Sequence, residues 1–233
     1  MGAAAPRVAA IVPAAGRGDR LGPGEPKALR PVGGVPLLVH AVRALASAAS
    51  VDLVVVAAPA GRREDVKALL GRPDGADVVV VEGGEDRQES VRRALSAIPE
   101  EVEVVLVHDA ARAFAPVGLI EAVAAAVRAG AEAVVPGLPV VDTLKQVDED
   151  GYVVATVDRS VIRAIQTPQG FPRRVLASLH DGHEGDPHTD DAGLAEAAGI
   201  GVLVVPGSEE AFKVTVPLDL ELAAAVVRRR SGS

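Results

Sequence analysis

Cysteine and tryptophan are absent from this 233-residue chain, and one tyrosine and three phenylalanines hold the aromatic fraction to 2%. Without cysteine there is no disulfide and no thiolate metal site, and a reducing compartment such as the cytoplasm is the expected location. So few aromatics leave no stacking platform for single-stranded nucleic acid, and a formal net charge of −8 opposes a general polyanion-binding surface. No apolar run is long enough to cross a membrane, and the N-terminal stretch, interrupted by Pro13 and Gly16, does not read as a secretory signal. What remains is 48% hydrophobic and 24% charged, so the core must be built on aliphatics. The length suits one α/β domain over residues 1–233.

Valine-rich runs at 8–12, 53–57, 78–81, 102–107 and 133–135 read as strands buried on both faces. Between them, residues 37–48, 64–70, 88–98 and 117–129 have helical period, and Val91, Ala94, Leu95 and Ile98 form one apolar stripe. Alternation of this kind predicts a doubly wound, mostly parallel, Rossmann-like sheet with its ligand outside the carboxyl ends of the strands.

The first such end carries the most informative segment. Residues 13–27 read Pro-Ala-Ala-Gly-Arg-Gly-Asp-Arg-Leu-Gly-Pro-Gly-Glu-Pro-Lys. Backbone N–H groups around Pro13, Ala14, Ala15, Gly16 and Gly18 can approach phosphate oxygens closely, while Arg17, Arg20 and Lys27 supply charge. The spacing matches neither the dinucleotide fingerprint nor the P-loop, and prolines keep the chain extended before Lys27. A plain turn is the alternative reading of this segment alone.

Further motifs follow in order: His108-Asp109-Ala110-Ala111-Arg112, Asp142-Thr143-Leu144-Lys145, Thr156-Val157-Asp158-Arg159, Gln166-Thr167-Pro168-Gln169-Gly170-Phe171, Thr189-Asp190-Asp191-Ala192 and Lys213-Val214-Thr215. With the first loop they resemble the sugar-phosphate nucleotidyltransferases, and within them the 2-C-methyl-D-erythritol 4-phosphate cytidylyltransferases, from Val8 to about Leu222. The resemblance implies CTP and methylerythritol phosphate as substrates in non-mevalonate isoprenoid synthesis. It implies Arg20 and Lys27 at the α-phosphate, with Arg159 and Lys213 holding the incoming phosphate. Gly84, Glu85 and Ser90 would select cytosine, although the same segment also reads as a helix start capped by Asp86. Arg112, Thr143, Thr167 and Thr189 would contact the erythritol phosphate or support those that do. Asp109 would lie near the polyol or nucleotide hydroxyls or a magnesium ion, or else cap a turn. One departure is Ala113, where a proline commonly follows the His-Asp-Ala-Ala-Arg motif.

Since a phosphate monoester is mostly dianionic at neutral pH, the reaction needs no side-chain nucleophile, and catalysis reduces to alignment and charge neutralisation. Magnesium is expected on the CTP phosphates, with no direct protein ligand required. His40, His108, His180, His183 and His188 show no metal-binding spacing, and 189–192 reads as a capped helix start.

Residues 138–165 break the alternation. Two β-like pieces, 143–147 and 152–157, flank Asp148-Glu149-Asp150-Gly151, a hairpin signal. A lone hairpin is marginal in water. It packs on its own domain or, as the resemblance implies, reaches across a homodimer to the neighbour's active site. Rival functions are a cytidylyltransferase for a pentitol phosphate such as ribitol 5-phosphate and a non-catalytic nucleotide-binding protein. Arg228-Arg229-Arg230 suits a helix end.

Overall fold

The computed structural model describes residues 7–16, 25–181 and 189–232. The chain begins with β1 (Arg7–Pro13), a short ribbon of β2 (Pro31–Val32) and β3 (Val35–Pro36), then α1 (Leu37–Ala46) and β4 (Leu53–Ala58). It continues through α2 (Arg63–Leu70), β5 (Asp77–Glu82), α3 (Arg87–Ser96), β6 (Val102–Val107), α4 (Val117–Arg128) and β7 (Ala133–Pro139). A hairpin of β8 (Lys145–Val147) and β9 (Val153–Thr156) follows, then β10 (Arg163–Ile165) and β11 (Gln169–Pro172). The last elements are α5 (Arg173–Asp181), α6 (Asp191–Ala197), β12 (Val202–Pro206) and α7 (Pro217–Ser231).

The main sheet has the order β10-β7-β11-β6-β1-β4-β5, with β12 also paired to β7. Pairing is parallel at β1–β4, β1–β6 and β4–β5, as the valine-rich runs predict, and also at β7–β12, where β12 lies outside those runs. Each predicted helix forms within two residues of its expected bounds. Successive β1 side chains enter opposite cores. Val8, Ala10 and Val12 pack with α1, α2 and α4, whereas Ala9 and Ile11 pack with α3, α5 and α6. Helices therefore cover both faces, because a strand's side chains alternate and every β1 position from Val8 to Val12 is apolar.

One expectation needs correction. β5 is not buried on both faces: it is the sheet's edge strand, and Val79 is 40% exposed. Beyond the break expected at 138–165, β11 inserts antiparallel between β6 and β7. Its four residues include a glycine and end in proline, too short and irregular to announce a central strand. Gly170 is needed there. A Cβ at this position would lie 2.7 Å from Val123 and 2.9 Å from Val127, so α4 could not settle on the sheet.

Of the main strands, β1 continues to β4 and β5 on one side, while β6 lies on its other side. The carboxyl ends of β1 and β6 thus part at a topological switch point, where a crevice forms. The β8–β9 hairpin is a separate two-stranded sheet, and every residue of both strands is exposed. Its turn closes on Asp148, which accepts the Tyr152 N–H, with Gly151 at φ 86°.

Candidate active site

A cavity of about 210 Å³ opens at that switch point. Its floor is the end of β1, where the Ala14 N–H donates to Ala57 O at 2.9 Å and prolongs the ladder one residue beyond the strand. Pro13, Ala14, Ala15 and Gly16 line it. Gly83 lies close behind, since a Cβ there would come within 2.7 Å of both Ala15 Cβ and Ala58 O. Only a residue without a side chain lets the two loops approach this closely.

The second wall is the start of α3. Asp86 caps it, accepting the Glu89 N–H at 2.7 Å. Ser90, 1% exposed, accepts the Gly84 N–H at 3.0 Å and donates to Asp86 O at 2.7 Å. Glu89 accepts the Glu85 N–H at 2.7 Å. Glu85, Asp86 and Ser90 reach the cavity on a loop whose Gly84 and Glu85 N–H groups are already hydrogen-bonded.

The third wall is the segment after β6. The Asp109 N–H donates to Thr167 Oγ1 at 3.0 Å, and Thr167 Oγ1 lies 3.0 Å from His108 Nδ1. His108 Nε2 lies 3.2 Å from Arg112 O. A carbonyl only accepts, so Nε2 carries the ring proton, Nδ1 accepts from Thr167, and Thr167 in turn accepts from Asp109. Burial is the main force on His108 and lowers its pKa to about 4, keeping the ring neutral at pH 7.

Lys213 arrives from the far end of the chain. The Val214 N–H donates to Ala111 O at 2.9 Å, and Asp219 of α7 accepts the Thr215 and Val216 N–H groups at 2.6 and 2.9 Å. These bonds hold Lys213 Nζ 2.7 Å from Asp109 Oδ2, while Arg87 Nε lies 3.6 Å from Oδ1. Burial alone would raise the Asp109 pKa, but the charges of Arg87 and then Lys213 overcome it and bring it to about 2. An ionised carboxylate therefore faces the cavity with a cation at each oxygen, and Lys27 stands on the lining as a further cation.

The sequence matches the family 2-C-methyl-D-erythritol 4-phosphate cytidylyltransferase over residues 8–229. It is 57% identical to the 2-C-methyl-D-erythritol 4-phosphate cytidylyltransferase of Streptomyces coelicolor, covering 96% of this chain and 86% of that protein. The chain belongs to this family. Among solved structures, the Thermus thermophilus 2-C-methyl-D-erythritol 4-phosphate cytidylyltransferase is 38% identical with a TM-score of 0.75, over 95% of this chain and 99% of that one. The Anaerococcus prevotii 4-diphosphocytidyl-2C-methyl-D-erythritolsynthase is 28% identical with a TM-score of 0.83, over 96% of each.

Of the residues expected from the resemblance to this family, Pro13, Ala14, Ala15, Gly16, Lys27, Glu85, Ser90, Asp109 and Lys213 converge on the cavity. Arg17, Gly18, Arg20, His183 and His188 lie outside the described residues. Gly84 does not line the cavity but holds Ser90. Thr167 acts on it only through the backbone of Asp109. Arg112 is a brace, donating to Ala211 O at 2.8 Å and Ile165 O at 3.0 Å, so it ties three segments together. Those bonds, with the Arg112 N–H to Asp109 O turn at 2.9 Å, hold the loop that Ala113 follows without a proline. Thr143 and Arg159 are exposed on the hairpin segment, where Arg159 bonds Val141 O, and neither lines this cavity; nor does Thr189.

Arg87 lines the cavity and was not among the expected site residues. Its local context, the first turn of a capped helix, gives no sign of function. Its carboxylate partners, Asp109 and Asp191, lie on distant segments, and only the fold brings them to it.

Proposed function

We propose that residues 1–233 act as one nucleotidyltransferase domain, with an arm at 138–165, that transfers CMP from CTP to 2-C-methyl-D-erythritol 4-phosphate. The products are 4-diphosphocytidyl-2-C-methyl-D-erythritol and pyrophosphate, on the route to isoprenoid precursors. The observation that carries the reading is the Lys213–Asp109 pair on the switch-point cavity, facing the small-residue loop after β1.

In this reading the cytosine rests against Glu85 and Ser90 and the triphosphate follows the backbone of residues 13–16, with Gly18 as the resemblance assigns it. A 4-phosphate oxygen of the polyol attacks the α-phosphorus of CTP while the bond to the β-phosphate oxygen breaks, releasing pyrophosphate. No proton need be removed, because the attacking oxygen is already anionic. Lys27, with Arg20 as the resemblance assigns it, neutralises charge that builds on the α-phosphate. Lys213 draws the incoming phosphate into line.

Magnesium suits this site as a passenger on the triphosphate. Among the described residues no three metal-ligating side chains cluster, and both Asp109 oxygens already face a cation, so magnesium would be held mainly through the triphosphate oxygens. When bound, the ion would screen the triphosphate and aid pyrophosphate departure.

The hairpin supports a homodimer. Val147, Tyr152, Val153 and Val154 are between 54% and 74% exposed, and a two-stranded ribbon is marginal without a partner surface. Thr143 and Arg159 would then complete the neighbour's site. The cytoplasm fits such an enzyme. Among the described residues no helix is long and apolar enough to cross a membrane.

A pyrophosphate-release assay tests the reading with CTP, UTP, ATP and GTP against methylerythritol phosphate and ribitol 5-phosphate. Release is expected only with CTP, methylerythritol phosphate and magnesium together. Equal turnover with UTP removes the base assignment, and preference for ribitol 5-phosphate replaces the acceptor.

A further inference from the structure

A chain of hydrogen-bonded and ion-paired side chains runs from the protein interior to the cavity. His180, at the end of α5, donates from Nε2 to Asp191 Oδ1 at 2.8 Å, and their side chains are 3% and 0% exposed. The other oxygen of Asp191 accepts from Arg87 Nη2 at 2.7 Å. Arg87 Nε then faces Asp109 Oδ1 at 3.6 Å, and Asp109 Oδ2 meets Lys213 Nζ at 2.7 Å. The interior end is fixed. Asp190 caps α6 by accepting the Gly193 N–H at 2.9 Å, and Gln169 of β11 donates to Asp190 Oδ2 at 2.8 Å while accepting the Ala192 N–H at 3.1 Å.

We propose that Arg87 is a positioning residue for the transfer reaction: anchored on buried Asp191, its guanidinium holds the Asp109 carboxylate in the orientation that keeps Lys213 aimed at the incoming phosphate. The inference rests on the reaction proposed above. Two features carry it. The guanidinium hydrogen-bonds Asp191 through Nη2 while its Nε faces Asp109 at ion-pair distance, a two-sided reach that a lysine cannot match from one point charge. Arg87 also faces both carboxylates, Asp109 and Asp191, so its loss removes positive charge beside each of them where anionic substrates must enter.

The competing account is that Arg87 only neutralises Asp191. The variant carrying Arg87→Met with Asp191→Asn separates the two, because it removes the buried pair together while leaving His180 an acceptor. With Arg87 as positioner, the melting temperature stays near wild type while kcat falls about 10- to 100-fold, at nearly unchanged KM for CTP. A double variant with wild-type kcat, or with a melting temperature lowered in step with kcat, overturns the proposal.

If that variant fails to fold, Arg87→Lys decides, since it keeps the charge and loses the bridge. It should lower kcat about tenfold in the wild-type background and have little further effect in an Asp109→Asn background, as expected of residues acting as a unit. Unchanged kcat, or equal losses in both backgrounds, overturns it. Wild-type protein without turnover in the same assay counts against the reaction itself, so the two failures are distinguishable.

Discussion

Lys213 Nζ lies 2.7 Å from Asp109 Oδ2, and this pair joins the last segment before α7 to the loop after β6. The carboxylate tethers the ammonium without neutralising it entirely, because Lys213 keeps 42% of its side chain exposed. Asp109→Asn should therefore release Lys213 and reduce kcat/KM for the polyol phosphate about 10²-fold, within the range typical of one electrostatic contact in a transition state. Steady-state kinetics with each substrate varied checks this. Unchanged kcat/KM would make the pair an ordinary surface contact.

Lys27 follows shortly after residues 17–24, which lie outside the described residues, and stands on the cavity lining. Lys27→Ala should lower kcat by about 10²- to 10³-fold while KM for the polyol phosphate changes little, because its charge is used mainly in the transition state. Circular dichroism on the same preparation establishes folding. A folded variant with wild-type kcat returns Lys27 to the surface.

Arg159 and Thr143 project from a segment that does not reach its own cavity lining. Co-expressing differently tagged Lys27→Ala and Arg159→Ala chains should restore about a quarter of wild-type activity, since random pairing makes half the dimers hybrid, each with one intact site of two. Tandem purification verifies the hybrids. Hybrids no more active than either parent would confine Arg159 to its own subunit.

His108 is fully buried and its pKa is lowered by burial from 6.5 to about 4. A depressed folded pKa contributes stability that is fully present above 6.5 and is lost as pH falls toward 4. Up to about 3 kcal/mol should disappear across that window, at about 1.4 kcal/mol for each pH unit between the two values. Urea unfolding at intervals between pH 7 and 4 measures the slope, and His108→Asn should flatten it. A wild-type stability that is level over this range rules the account out.

Local chemistry was enough for much of this protein. Valine runs made parallel strands, and all of them but the edge strand β5 meet apolar neighbours on both faces. Val91, Ala94 and Leu95 form a buried stripe because the helical repeat aligns them, and Ile98 is buried just past the end of the helix. Asp86 and Asp190 cap helices through bonds reaching only three residues ahead, and Asp150-Gly151 turns a hairpin through its own backbone preference. Motif order alone carried the resemblance and most of the cavity lining. The tertiary structure decided what depends on distant partners. β11 became a central antiparallel strand because its Gly170 leaves room for α4, although its sequence has no strand period. Thr167 and Arg112 became supports rather than lining, since their polar atoms meet backbone groups that chain folding brings near. Arg87 acquired its place from Asp109 and Asp191, two carboxylates on other segments. Periodicity and capping act over a few residues and can be read along the chain, whereas a buried charge is matched across the fold, where sequence separation carries no information about distance.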